Sequence, residues 1–238
     1  MLRYLRTLIR HTGFDVIRYT PNTSRILRLV TVLQAQKINL VLDVGANTGQ
    51  YALDLFSAGY SGRIVSFEPM RAAYEQLLRQ QTSRVSRWQA QQCALGAAAD
   101  TLQINVAANS VSSSLKPMLA AHAEAAPQSS YTGTETVTVR TLDEVAPMLL
   151  NPADHVLLKI DTQGYEAEVL AGAARTLPCI HALQLEMSLL PLYEGQMLFD
   201  ELHTKVLAQG FMLWGLDAGF THPATGRMLQ LDGLYVRT

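Results

Sequence analysis

Apolar residues recur along this chain in two rhythms. Short, mostly apolar runs at residues 40–44, 63–67, 156–160 and 180–185, rich in Val, Ile and Leu, predict strands buried on both faces. Helical spacing predicts helices over residues 49–58, with Tyr51, Leu55 and Ala58 on one side, and over 71–79, 166–172 and 199–209. Gly210 closes the last of these. A further strand is expected over 85–90, before Ala94-Leu95-Gly96. Strand–helix alternation of this kind predicts an α/β fold, a doubly wound and mostly parallel sheet with helices on both faces. Residues 211–216 and 229–236 read as a closing pair that includes a C-terminal antiparallel strand.

Two segments break the rhythm. Residues 101–106 and 136–140 alternate like strands exposed on one face, and the stretch between them, about 109–133, is rich in Ser, Ala and Pro. It is too long for a plain connection and reads as a lid-like insert with some helix near 117–126. Before the first buried strand, residues 24–36 read as a helix with Ile26, Leu27, Val30 and Leu33 inward. The N-terminus places Leu2, Leu5, Leu8 and Ile9 on one face and Arg3, Arg6 and Arg10 largely on the others, a short amphipathic basic helix. It suits packing on the domain or on a second subunit, as in a homodimer, better than a weak membrane-surface contact. The organisation expected is thus a helical extension over 1–38 and one domain over 39–238.

The chemistry begins where the first buried strand ends. Val41-Leu-Asp-Val-Gly-Ala-Asn-Thr-Gly-Gln-Tyr51 reads as strand, Gly-rich turn and helix start, and Ser66-Phe-Glu-Pro69 ends the next strand in an acid. An acid at that tip suits the two hydroxyls of a ribose. The dinucleotide fingerprint needs three glycines, and here only Gly45 and Gly49 frame the turn. No lysine follows, so the turn is not a phosphate-gripping loop. A ligand with a ribose, no phosphate and an amino-acid tail fits: S-adenosylmethionine. The residues expected around it are Asp43, Gly45, Ala46, Asn47, Gly49, Tyr51, Glu68, Pro69, Ala94, Leu95, Ser113 and Asp161.

In such a sheet the ligand lies outside the carboxyl ends of the strands. Acids end four of them: Asp43, Glu68, Asp161 and Glu186. Each has a plainer use. Asp43 would hold the Gly turn, Glu68 and Asp161 would cap helices, and Glu186 would pair with an arginine.

Composition narrows the classes. Hydrophobic content of 48% against 16% charged allows a sizeable core. A net charge of −1 opposes a duplex-binding surface, so no nucleic-acid partner is expected. Cys93 and Cys179 stand far apart with no C-x-x-C, as in a cytoplasmic enzyme with reduced thiols. No apolar run is long enough for a transmembrane segment, and arginines interrupt the N-terminus too often for a signal peptide.

The sequence resembles the FkbM-type family of S-adenosylmethionine-dependent methyltransferases. The resemblance rests on the 42–51 and 67–69 segments, Thr141-Leu-Asp-Glu144, Leu158-Lys-Ile-Asp-Thr-Gln-Gly-Tyr-Glu166, Leu192-Tyr-Glu-Gly-Gln196 and Gln230-Leu-Asp-Gly-Leu-Tyr-Val-Arg237. It implies the class I methyltransferase fold, a Rossmann-like sheet, and methylation of a hydroxyl, often on a sugar or natural-product scaffold. The expected acceptor is a glycoside or other small molecule. The rivals are a non-sugar polyketide or peptide hydroxyl, or a non-catalytic cofactor-binding module. A hydroxyl attacks well only once its proton is taken or its pKa lowered. Asp161, Glu186 and His222 are the candidate bases. Asp161 and Glu186 are also candidate ligands for Mg²⁺ or Mn²⁺.

Overall fold

The computed structural model describes residues 6–7, 9–81 and 86–237. Arg3, Leu2, Leu5 and Leu8 of the expected N-terminal helix, and Val85 of the expected third strand, lie outside the described residues. The described residues 6–7 and 9–10 of that expected helix are helical. The helix labelled α1 runs Arg25–Ala35, capped at its start by the Ser24 side chain, which accepts from the Leu27 N–H at 3.4 Å.

The main sheet has seven strands. β1 (Leu40–Val44), β2 (Arg63–Phe67), β3 (Trp88–Gln91), β7 (Val156–Ile160), β8 (Ile180–Ser188), β9 (Phe211–Ala218) and β10 (Gln230–Arg237) lie in the order β3-β2-β1-β7-β8-β10-β9. Only β10 runs against its neighbours. β1, β2 and β7 match the apolar runs residue for residue. β8 does not stop at residue 185, because β10 pairs along it as far as Ser188. Glu186 therefore sits within a strand rather than at its tip.

Three helices, α2 (Gln50–Ser57), α3 (Arg71–Gln81) and α1, cover one face. Two others, α5 (Glu166–Ala171) and α6 (Phe199–Ala208), cover the opposite one. Alternation along the strands divides the core accordingly. Leu40, Leu42 and Val44 pack with Leu158 and Ile160 on one side, while Val41 and Leu157 pack with Leu33 and Leu55 on the other. β1 and β7 are buried at every position, as the centre of a parallel sheet requires.

The chain between β3 and β7 builds a small second sheet. β4 (Ala94–Leu95), β5 (Asp100–Ala107) and β6 (Tyr131–Arg140) lie in the order β4-β6-β5, with β5 and β6 antiparallel. The Ser/Ala/Pro-rich stretch between β5 and β6 carries the short helix α4 (Ala120–Ala125) and then a turn of tight helix, Pro127–Ser129. It is fastened to the main body. The Leu119 N–H donates to the Leu192 carbonyl at 2.8 Å, and the Glu194 N–H to that of Pro117 at 2.9 Å. The Lys116 ammonium reaches the Gly195 carbonyl at 2.7 Å and Glu168 at 2.9 Å. Among the described residues no helix is long and apolar enough to cross a membrane.

Candidate functional site

A cleft of about 550 Å³ opens at the carboxyl ends of β1, β2 and β7, with the insert as its far wall. Its size falls within the usual range for a small-molecule site. Of the sequence-predicted residues, Gly45, Ala46, Asn47, Tyr51, Glu68, Pro69, Ala94, Leu95, Ser113, Asp161 and Glu186 line it. Asp43, Gly49 and His222 do not.

The Gly turn follows from steric limits. A Cβ on Gly45 would lie 1.9 Å from the Asp161 carbonyl oxygen, where β1 and β7 leave the sheet side by side. A Cβ on Gly49 would press on the Trp88 ring at 2.7 Å. Both glycines also hold φ values of 77° and 92° that disfavour any side chain. Unlike an anion-binding turn, this one offers no free amides. The N–H groups of Gly45 and Ala46 donate to the Phe67 carbonyl, Asn47 to Glu68, Thr48 to its neighbour's side-chain oxygen, and Gly49 to Ala46. The turn presents a shaped wall suited to a ligand without phosphate.

Glu68 is buried where β2 ends. Its Oε2 accepts from the Asn47 N–H at 2.8 Å and its Oε1 from the Met70 N–H at 2.9 Å. Burial pushes its pKa up to about 7, against the pull of those two amides. Capping and cleft lining thus coincide in one carboxylate. Each oxygen keeps a second lone pair.

Asp43 lies beneath the cleft rather than in it, fully buried. Its Oδ1 is 3.0 Å from the Lys159 ammonium, and its Oδ2 accepts from Ser66 Oγ, which in turn accepts from the Trp88 indole. Lys159 was not among the residues expected. It also donates to the Gly45 carbonyl at 3.0 Å and stands 3.6 Å from Asp161. Burial pushes this ammonium down, but Asp43, Asp161 and Glu186 outweigh it and hold it charged. A lone cation inside the apolar run Val-Leu-Leu-Lys-Ile was the signal for it, since a lysine so placed needs a buried partner.

Gln163 was also missed. Its amide nitrogen donates to Asp161 at 2.9 Å and to Glu186 at 2.7 Å, and its carbonyl accepts from the Tyr193 hydroxyl at 2.7 Å. The Tyr193 bond fixes the amide's orientation. Gln230 donates to the same Glu186 oxygen at 2.8 Å. Burial, then the neighbouring Asp161, Glu166 and Asp232, raise the Glu186 pKa well above the carboxylate range. The two acids therefore converge on an N–H₂ group, where a divalent ion would need oxygen ligands. Among the described residues no group of three or more His, Cys, Asp or Glu is arranged to hold a metal ion. The donor set does not fit the expected Mg²⁺ or Mn²⁺ site.

His222 turns back on its own loop, its Nδ1 accepting from the Ala224 N–H at 3.2 Å. The histidine of the cleft is His122, on α4. Its ring packs 5.3 Å from Tyr193 and 5.2 Å from Phe220, and only 2% of it is exposed. Its Nδ1 is buried without a partner, and burial lowers its pKa. Sequence reasoning had nothing to mark it, because a histidine in an Ala-rich insert has no local signature. The insert also supplies Asn109, Ser110, Ser112, Gln128 and Ser129 to the cleft.

The family model described as the Methyltransferase FkbM domain matches residues 43–213. No curated protein sequence matches. Among solved structures, a Streptococcus pneumoniae protein proposed to be a tRNA (m1A22) methyltransferase is 13% identical, with TM-score 0.50 over 90% of this chain and 70% of its own. The magnesium protoporphyrin IX methyltransferase of Synechocystis PCC 6803 is 11% identical, with TM-score 0.49 over 100% of this chain and 97% of its own. At such identities the likeness concerns the fold alone.

Proposed function

The chain belongs to the FkbM methyltransferase family and is an S-adenosylmethionine-dependent methyltransferase, and we propose that it methylates a hydroxyl of a sugar or glycoside. The observation that carries this reading is the chemistry of the insert's wall. Asn109, Ser110, Ser112, Gln128 and Ser129 give it a polar lining, with fewer apolar residues such as Val111 and Leu115. Asn109, Ser112 and Ser129 bond to one another and Ser110 to Asn47, which leaves the Gln128 amide and the spare hydroxyl lone pairs for an acceptor. A polyol is bound by such groups, whereas a polyketide asks for an apolar wall. The charged lining supports a neutral acceptor. Its cations, Arg25 and Lys159, are already paired with Asp232 and Asp43. A phosphate would find no unpaired cation among them, which argues against a nucleic-acid acceptor.

S-adenosylmethionine supplies a methyl group already activated on a sulfonium. The residues that fit it are those around the Gly turn. Glu68 would accept from the ribose hydroxyls through its spare lone pairs, and the 45–47 backbone would bound the adenosine without amide donors to spare. Asp161, half-exposed in the cleft, would hold the ammonium of the amino-acid tail. Gln163 fixes Asp161 and Glu186 relative to each other. His122 would take the acceptor's proton: it is neutral, lines the cleft, and has an unpartnered ring nitrogen. The insert excludes water from the reacting pair.

Calorimetric titration with S-adenosylmethionine, followed by labelled methyl transfer to a panel of methyl glycosides, tests the reading. Micromolar cofactor binding with label on a glycoside oxygen is expected. Label appearing only on an RNA or on an apolar phenol panel would replace the acceptor assignment. Cofactor binding without transfer to any acceptor would leave a non-catalytic cofactor-binding module.

A further inference from the structure

The arm that precedes α1 has a property that methyl transfer does not use. Phe14, Val16, Ile17 and Tyr19 are 74%, 52%, 50% and 66% exposed, in a stretch without regular secondary structure. Exposing four large apolar side chains within six residues is costly in water and marks a contact surface. The charge is equally uneven. Residues 1–24 hold four arginines and one acid, Asp15, a net +3; with the whole chain at −1, the remainder carries −4. Arg6 and Arg10 share Asp15. Exposed His11 precedes the apolar residues and exposed Arg18 lies among them.

From this juxtaposition we propose that residues 9–24 dock the protein on an anionic lipid surface. Phe14 and Val16 alternate on one side of an extended chain and Ile17 and Tyr19 on the other, so they form no single face for a rigid partner. A deformable acyl boundary can receive both sides. Aromatic and basic residues together suit the headgroup level. The opposed charges of arm and body turn the arm toward an anionic surface and the body away from it. The arm ends at Arg25, which pairs with Asp232 and lines the cleft, so docking holds the cleft mouth beside the lipid. The proposal stands independently of the acceptor assignment.

The test is co-sedimentation of the full chain with phosphatidylcholine vesicles, with and without about one-third phosphatidylglycerol. Binding at least about tenfold tighter to the anionic vesicles, and lost at high salt, is expected. The double variant Phe14→Ser/Tyr19→Ser should lower it by about tenfold or more. Both side chains are exposed, so that variant should keep the parent's thermal midpoint and cofactor affinity. Equal sedimentation with both vesicle types, no sedimentation, or binding unaffected by the double variant would overturn the proposal. So would a concentration-dependent dimer, seen by ultracentrifugation, that the double variant dissolves, since the arm would then serve a second copy.

Discussion

Both oxygens of Glu68 hold a backbone amide, one from the Gly turn and one from just before α3, and the residue lines the cleft. Glu68→Ala should weaken cofactor binding by about 1.5–3 kcal/mol, the weight of a charged hydrogen bond. Unchanged affinity by calorimetry would take Glu68 out of the ribose role. Asp161 and His122 are separated by a second pair of variants. Asp161→Asn should raise the cofactor dissociation constant. His122→Asn should leave that constant unaltered and cut turnover by roughly 10²–10⁴, the range for general base catalysis. The parent's rate should hold through neutral pH and fall only on acidification below the ordinary histidine range, because burial holds the His122 pKa under its usual value and only the neutral ring accepts a proton. A full rate in His122→Asn would return the base role to Asp161.

Among the elements, the insert between β5 and β6 is held by a small apolar cluster, in which Met118, Ala121 and Ala125 pack with Leu192, Tyr193 and Leu229, and by a few polar anchors. Lys116 ties it to Gly195 and Glu168, Ser114 donates to the Gln163 carbonyl at 2.7 Å, and Asn47 reaches Ser110 at 3.2 Å. Lys116→Met keeps the apolar stem but removes the ammonium. Amide exchange over residues 109–129 should then speed up by about tenfold or more, while β1 and β7 keep their protection. Exchange identical to the parent would mean that the remaining contacts suffice and that Lys116 is no anchor.

At the scale of the molecule, burying acids around one lysine makes stability depend on pH. Burial raises Glu68 and Glu166 to about 7 and Asp232 to about 6. An acid whose folded pKa is raised stabilises the fold below its ordinary pKa, and that contribution is lost as pH rises through the folded value. The thermal midpoint should therefore drop between about pH 4.5 and pH 7, each fully buried acid contributing roughly 1–3 kcal/mol. Glu68→Gln should flatten the decline. A midpoint that climbs steadily from pH 5 to pH 7.5 would contradict this picture of the cluster.

What the sequence by itself determined is whatever local pattern dictates. The three short, mostly apolar runs located β1, β2 and β7 to the residue, since a strand buried on both faces is apolar at nearly every position. Ser24 and Gln36 bounded α1 because capping is a local hydrogen-bond requirement. The Gly spacing pointed to the cofactor class, although the glycines answer to Asp161 and Trp88 rather than to a ligand. Tertiary structure alone decided what depends on distant partners. Glu186 lies inside β8 because β10 extends the ladder. Asp43 sank beneath the cleft because Lys159, more than a hundred residues away, comes up on the neighbouring strand. Gln163, not a metal ion, bridges the two acids, and His122, not His222, reaches the cleft. Those outcomes rest on long-range packing and on the satisfaction of buried polar groups, which no window of sequence contains.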